Sequence, residues 1–427
     1  MTTNRHGRLW VKVAVVSLGV LLGACAGASV PLPTPRPVPG PGPARAGPVR
    51  PGIEGILGDS AHLIRGRSVG LVSNHAAVDA AGVSDVDRLL RGGARLVALF
   101  SPEHGFRGAA DPGEAVASTV DSATGLPIYS LYGRTSAPSD SMMAGVEVIL
   151  VDLPDVGARY YTYLATTIEV MRAAKRLGRT VVVLDRPNPI GGLVQGNMLE
   201  LSHRSAVGAL AMPMRHGLTL GELSRLANLD LAIGADLRVV PVANWMREIT
   251  LADTGLPFLP PSPNLKDLES LFHYPGTCMF EATALSVGRG TDLSYHQVGA
   301  AWLDVHAVLE ALPTTKLPGV QFLGVTFTPI KPGDGKWAGI TVPGIRLVLT
   351  DPEAYDPTLT AAVLLSTIRR IHPDSIGFRP ASFDRLAGGP SFREALLADV
   401  DPFALVRGWA ETRDPWLAHR EAILLYR

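Results

Sequence analysis

The 427-residue chain holds two cysteines, Cys25 and Cys278, which excludes a disulfide framework and any zinc site built from several thiolates. It also lacks an excess of either charge, since 39 Lys and Arg balance 39 Asp and Glu. Such a balance leaves no basic footprint for nucleic acid, and no nucleic-acid partner is expected. No G-x-S-x-G follows any predicted strand, which argues against a Ser-His-Asp hydrolase of the elbow type. A P-loop is missing, as are H-E-x-x-H and a G-x-G-x-x-G at the first strand–helix turn. Nucleotide phosphates therefore have no cradle, and no cofactor is expected. One metal alternative stays open, because His and carboxylate ligands can be scattered in sequence: a site from His75, His104 and Asp152.

Long apolar runs are scarce too, and the one near the N-terminus is short. Arg5, Arg8 and Lys12 precede an apolar stretch from Val13 to Leu22, too short for a comfortable membrane span and of the length of a secretory signal core. It ends in Leu22-Gly23-Ala24-Cys25, which resembles the bacterial lipobox, whose cysteine is lipidated and becomes the mature N-terminus; an ordinary signal peptide with an incidental cysteine is the alternative. Several acyl chains on Cys25 would anchor the chain stably to a membrane, where one chain binds only marginally. Ala26 in place of an aspartate resembles outer-membrane sorting. The expected location is thus the cell envelope: the periplasmic face of a Gram-negative outer membrane, or otherwise the outer face of the cytoplasmic membrane. Residues 25–51, proline-rich from Pro31 onward, read as a polyproline II tether. At roughly 3.1 Å per residue it reaches on the order of 60 Å.

Beyond the tether, short apolar runs alternate with helical spacings. Strands are predicted at 67–73, 95–100, 126–131, 146–152, 180–185 and 237–242. Between them, "SDVDRLLRGG", "TYLATTIEVMRAAKRLG" and "TLGELSRLANLDL" carry helical periodicity, the last opening on a capping-box spelling, Thr219 with Glu222. This predicts an α/β domain over 52–270 with a mostly parallel sheet covered on both faces. After about residue 270, Gly- and Pro-rich loops surround "GVQFLGVTFTP" and "GIRLVLTD", and helical stretches follow. A smaller α+β domain over 271–427 is expected.

Ligands of open α/β sheets bind beyond the carboxyl ends of the strands. The residues delivered there are Asn74 and His75, Glu103 and His104, Tyr132, Asp152, Asp155, Arg159 and Tyr160, then Asp185, Arg186 and Asn188. Acids, arginines, histidines and tyrosines at five successive strand ends predict a polar cleft; helix caps and turn chemistry are the plainer alternative. Asp155 and Arg159, four apart, read as an ion pair.

"GLVSNHAAVD", "LVALFSPEHGFRG", "GLPIYSLYG", "VDLPDVGARYYTY", "LDRPNPIGG", "MRHGLTLGEL", "PPSPN" and "YPGTCMFEATALSVGRGTD" occur in the order seen in the NamZ-type exo-β-N-acetylmuramidases, and the chain resembles that family over residues 55–427. The resemblance implies a glycosidase that hydrolyses terminal, non-reducing N-acetylmuramic acid from peptidoglycan fragments. It makes the "PEHG" glutamate, Glu103, the leading catalytic candidate. The resemblance also implies a Rossmann-like first domain with the active site in the cleft between the two domains. Glycoside hydrolysis usually needs two carboxyl groups; Asp152, Asp155 and Glu281 are the candidates for the second, and Glu281 is the one that would face Glu103 across the cleft. His104 either orients Glu103 or packs. Substrate-binding candidates are Asn74, His75, Asp152, Arg159, Tyr160, Arg186, Asn188, His216, Arg289 and Asp292. Arg159, Arg186 and Arg289 are the candidates for the lactyl carboxylate, because guanidinium grips carboxylates bidentately.

The chain departs from the family pattern in two places. Leu293-Ser294-Tyr295-His296-Gln297 stands where a Pro-Phe-Glu is common after "GRGTD", and Gln195-Gly196-Asn197 replaces a usual Glu-Gly-Pro. Two other readings stay open at this point: a non-catalytic muropeptide-binding lipoprotein, and a metal-dependent amidase or esterase.

Overall fold

The computed structural model describes residues 47–107, 114, 117–133 and 135–427. The lipidation expected at Cys25 and most of the expected tether lie outside the described residues. The described residues all fall in one compact unit. Among the described residues no helix is long and apolar enough to cross a membrane.

In chain order the strands of the first half are β1 (Ser68–Ser73), β2 (Arg95–Ser101), β3 (Thr119–Val120), β4 (Pro127–Ser130), β5 (Val148–Asp152), β6 (Thr180–Leu184), β7 (Gln195–Met198), β8 (Pro213–Arg215) and β9 (Asp236–Val240). Seven of them make one sheet in the order β3-β4-β2-β1-β5-β6-β9, and β7 and β8 pair separately. Every contact in the large sheet is parallel except that of the short edge strand β3. Counting only the parallel strands, the spatial order is 3-2-1-4-5-6, the doubly wound arrangement whose switch point lies between β1 and β5.

The near-continuous apolar runs have their cause in two-sided burial. Every residue of β1 and of β5 is buried. Ile149, Val151, Val181 and Val183 face Val170, Met171 and Ala174 of helix α3 (Tyr163–Arg176, after α1 and α2 below). The alternate residues Val148, Leu150, Val182 and Leu184 face Ile53 and Ile56 of α1 (Gly52–Ile56) and Val86 and Leu89 of α2 (Asp85–Arg91). Helix α4 (Leu220–Asp230) starts with the capping box expected from Thr219 and Glu222.

The second half holds α5 (Leu268–Thr277), β10 (Gln297–Gly299), α6 (Val305–Ala311), β11 (Val320–Phe327), β12 (Val342–Leu349), α7 (Pro357–Ile371), α8 (Pro380–Ala387), α9 (Ser391–Leu397), α10 (Pro402–Gly408) and α11 (Ala410–Arg420). Its sheet is antiparallel, in the order β10-β12-β11. Together the halves make a two-domain α/β architecture. "DPFALVRGWAETRD", one helical stretch by periodicity, is two helices meeting at Trp409. Helix α5 carries Pro275 and Gly276, which disguise it in the sequence. Gly276 is needed for contact with α7, because a Cβ there would lie 2.0 Å from the Pro357 carbonyl oxygen.

The two ends of the folded unit meet at the β6–β9 edge. Val49 is buried with Val242, Trp245 and Tyr426, and the Arg50 backbone pairs with Ala243. The proline-rich segment is therefore already part of the fold at residue 49, two residues before the expected end of the tether. From the other terminus, the Tyr426 and Thr219 hydroxyls each lie 2.6 Å from Asp185 Oδ2, and the Gly221 N–H donates to Oδ1 (2.8 Å).

Burial pushes Asp185 up to about 7, against those hydrogen bonds. In the unfolded chain an aspartate ionises near ~4. Between the two values the folded chain binds more protons, so this group lowers stability as pH rises from about 4 to about 7. Asp185→Asn should remove that part of the slope, measured as urea midpoints across the window; an unchanged slope in the variant would refute the assignment.

Candidate active site

Strand β2 ends in a turn that aims a carboxylate. The Gly105 N–H donates to the Pro102 carbonyl (3.1 Å), and His104, third in the turn, takes a left-handed conformation at φ 70°. A non-glycine residue there costs about 1–3 kcal/mol and persists where its surroundings hold it. The turn buries Glu103 beside the start of α3, where the Thr162 hydroxyl donates to Glu103 Oε2 (2.6 Å).

At the end of β1, Asn74 donates to the Tyr163 hydroxyl (2.7 Å) and accepts from the Ala76 N–H (3.1 Å). The "PPSPN" loop collects the neighbouring donors. Tyr161 and Tyr163 both donate to the Pro261 carbonyl (3.0 Å each), and His75 Nε2 donates to the Pro260 carbonyl (2.9 Å). Burial lowers the His75 pKa, and the nearby His104 lowers it further, so His75 is a neutral donor.

Glu281 lies in the second half, just after α5. Its Oε1 accepts from Arg289 Nε (2.7 Å) and from the Tyr295 hydroxyl (2.6 Å). Two concavities lead from one carboxylate's surroundings to the other's. Thr162 lines the first, of about 320 Å³, with Tyr132, Arg172, Arg204, Ser205 and Ala206. Ser205 and Ala206 also line the second, of about 300 Å³, together with Glu281, Arg379 and Arg385. Ser205 and Ala206 belong to both linings, so the two concavities adjoin as a groove with Thr162, Glu103's partner, at one end and Glu281 at the other, each of a size suited to small-molecule ligands; Glu103 itself lines neither.

Two family models match the chain, the N-terminal part of the exo-β-N-acetylmuramidase NamZ over residues 69–269 and its C-terminal part over 272–426. The chain belongs to the NamZ family. It is 38% identical to the peptidoglycan β-N-acetylmuramidase NamZ of Bacillus subtilis (strain 168) over 386 residues, 90% of this chain and 92% of the relative. Crystal structures of two DUF1343 family proteins from Bacteroides fragilis are similar at TM-scores of 0.81 and 0.74, each 29% identical and each covering 89% of this chain and 99% of its own. Membership in the NamZ family makes the chain a glycosidase of the exo-β-N-acetylmuramidase kind.

Several residues expected to bind substrate are, within this NamZ fold, spent on holding it together. The Arg159 guanidinium is buried and donates to the carbonyls of Asn197 (2.7 Å), Met212 (2.9 Å) and Leu386 (3.0 Å). It joins β7, the residue before β8, and α8. The expected Asp155–Arg159 pair is absent as well, because 155–159 is not helical. Instead Asp155 accepts from the Gly157 N–H (2.6 Å), and its Oδ1 lies 3.3 Å from Nε2 of buried His216. Tyr160 donates to the Pro275 carbonyl (3.0 Å), and Asn188 to the Leu218 carbonyl (2.9 Å). Asp292 is fully exposed, pairs with Lys266 (3.0 Å) and does not line the groove.

Arg186 and Asp152 form a buried ion pair at the switch point, with Arg186 Nη2 donating to Asp152 Oδ2 (3.0 Å) and Nη1 to the Val78 carbonyl (2.7 Å). Asp85 lies 3.4 Å from the same guanidinium, and burial together with Asp152 raises its pKa well above the usual carboxylate range. The metal alternative fails on this geometry. Asp152 is committed to Arg186 and His75 to Pro260, and among the described residues His75, His104 and Asp152 do not converge as ligands. Sequence reasoning missed Thr162, Tyr295, Arg379 and Arg385; a long matching motif holds Thr162, while Tyr295 lies in the segment that departs from the family pattern.

Arg186→Leu strands Asp152 as an uncompensated buried charge, a loss of about 3–5 kcal/mol. Chemical denaturation should show that loss; a change under about 1 kcal/mol would place the pair in water-accessible surroundings.

Proposed function

We propose that this protein is an exo-acting β-N-acetylmuramidase that releases terminal, non-reducing N-acetylmuramic acid from peptidoglycan fragments, with Glu103 and Glu281 as its two carboxyl groups. Family membership supports the reaction, and the groove joining the surroundings of the two glutamates supports the residues. The β2 turn and Thr162 hold Glu103 in one orientation, which suits a group that must donate its proton to the leaving oxygen. Glu281, beside Arg289, is the ionised partner that stabilises the oxocarbenium-like centre or activates its acceptor. Because Arg159 and Arg186 are committed elsewhere, Arg379 and Arg385 take over as the guanidinium groups for the lactyl carboxylate.

The same reading keeps the enzyme at the envelope. A lipidated Cys25 anchors it, and the proline-rich segment before residue 49 sets its distance from the membrane. Its partners are then muropeptides and the membrane surface.

Hydrolysis of a chromogenic β-N-acetylmuramide tests the assignment. Glu103→Gln should lower kcat by about 10²–10⁴-fold, the usual worth of a positioned acid–base group, with KM little changed. Glu281→Gln should be comparably impaired, and Arg385→Ala should raise KM for the muramide more than for the glucosaminide lacking the lactyl group. No release by the wild type, with muropeptide binding intact, would overturn catalysis in favour of a binding protein.

A further inference from the structure

Outside the groove, a second cluster of titratable side chains sits where α5 begins, and the proposed reaction does not use it. Asp267 caps α5, accepting from the Ser270 N–H (2.8 Å). Glu269 and His273 follow, four residues apart and so on one face of the helix. His296 approaches from the loop before β10. Glu269 Oε1 lies 3.4 Å from His273 Nε2 and 3.7 Å from His296 Nδ1, and ligand atoms of these residues lie within 4.8 Å of one another.

The other nitrogen of each imidazole is engaged from outside the cluster. His296 Nε2 is 2.9 Å from Asp267 Oδ1 and 3.1 Å from Oδ2, and since a carboxylate only accepts, that nitrogen carries a proton. His273 Nδ1 is 2.9 Å from the Tyr355 hydroxyl. His296 is 2% exposed, yet its Nδ1 is buried with no hydrogen-bond partner. An orphaned buried nitrogen is costly unless something fills it.

We infer that Glu269, His273 and His296 form a binding site for a divalent transition-metal ion of the zinc type, held by Glu269 Oε1, His273 Nε2 and His296 Nδ1. Tetrahedral zinc at about 2.0–2.1 Å from its ligands spaces them about 3.3 Å apart, close to the two contacts above. Asp267 and Tyr355 supply the outer groups that fix ring orientation and tautomer, as ligating histidines require. Two imidazoles and one carboxylate suit zinc, and not calcium or magnesium, which prefer all-oxygen sites. Glu269 is partly exposed, so a water completes the fourth position. The ion would tie the first turn of α5 to the 291–296 loop; its binding does not depend on the roles given to Glu103 and Glu281.

The full chain, stripped with chelator and re-equilibrated with zinc chloride, should retain one zinc after desalting and melt at higher temperature than the stripped form. His273→Gln and His296→Gln should each abolish stoichiometric retention, and Asp267→Asn should weaken it by about 10–100-fold. Circular dichroism shows whether the variants fold. Should they not, cobalt(II) bound to the wild type gives an independent reading, with an intense tetrahedral d–d spectrum expected. No retained zinc in the wild type, equal retention in a folded His273→Gln/His296→Gln double variant, or an octahedral cobalt spectrum would overturn the site. The cluster would then be an ion-pair network that keeps a protonated His296 between two carboxylates.

Discussion

The proposed reaction depends on where the Glu103 carboxylate is placed, and the Thr162 hydroxyl ties it to a second element by donating to Oε2 at 2.6 Å. This bond links two elements that sequence keeps 59 residues apart, the turn after β2 and the N-terminus of α3. Neither element could place the carboxylate alone. The turn is strained at His104, and strain of that kind survives only when contacts on both sides oppose its relief. β2 supplies one anchor, since its parallel register with β1 and β4 fixes where the strand must end. Helix α3 supplies the other, because Val170, Met171 and Ala174 lock it to the sheet. A side chain held from two rigid elements is already oriented when substrate arrives, and that is the larger part of what a positioned catalytic group contributes.

Dry interiors make charge balance the next constraint. At the switch point Asp152, Asp85 and Arg186 would carry an unbalanced negative charge if both carboxyl groups were ionised. Burial and the neighbouring Asp152 raise the Asp85 pKa, so a proton on Asp85 restores the balance. In many doubly wound sheets the same crevice receives a ligand; here Arg186, Pro154, Pro187 and Phe258 leave a cavity of only about 50 Å³. Larger concavities lie elsewhere, among them the two that share Ser205 and Ala206 and reach Glu281, and one of about 320 Å³ lined by His104.

Fold class and strand positions were legible because two-sided burial writes itself as continuous apolar runs, and α4's start because Thr219 and Glu222 spell a cap. What periodicity could not show was the fate of a polar side chain at a strand end. Arg159 and Arg379 look alike as letters. One is buried against three backbone carbonyls and the other lines the groove, a difference decided by β7, the residue before β8, and α8 arriving from more than 35 residues away. Helix α5 was hidden for a local reason, since Pro275 and Gly276 contradict helical propensity while the contact with Pro357 demands the glycine. Long matching motifs carried information that spacing rules did not: "PPSPN" contributes carbonyls, not side chains, to His75, Tyr161 and Tyr163.

The segment from Leu293 to Gln297 links the surroundings of Glu281 to the start of α5. Tyr295 sits at φ 67°, a conformation unusual for a bulky residue. It is held there by its N–H donating to the Val287 carbonyl (2.7 Å), by its edge-on contact with Tyr274 and by its hydroxyl donating to Glu281. The left-handed residue reverses the chain, so that successive side chains serve different sites: Tyr295 faces Glu281, while His296 faces Asp267 and Glu269. A change at 296 can therefore alter the α5 cluster without moving the carboxylate at 281, provided the backbone at 295 keeps its conformation. The constraint on this segment is its path, which turns the side chains of Tyr295 and His296 toward different clusters.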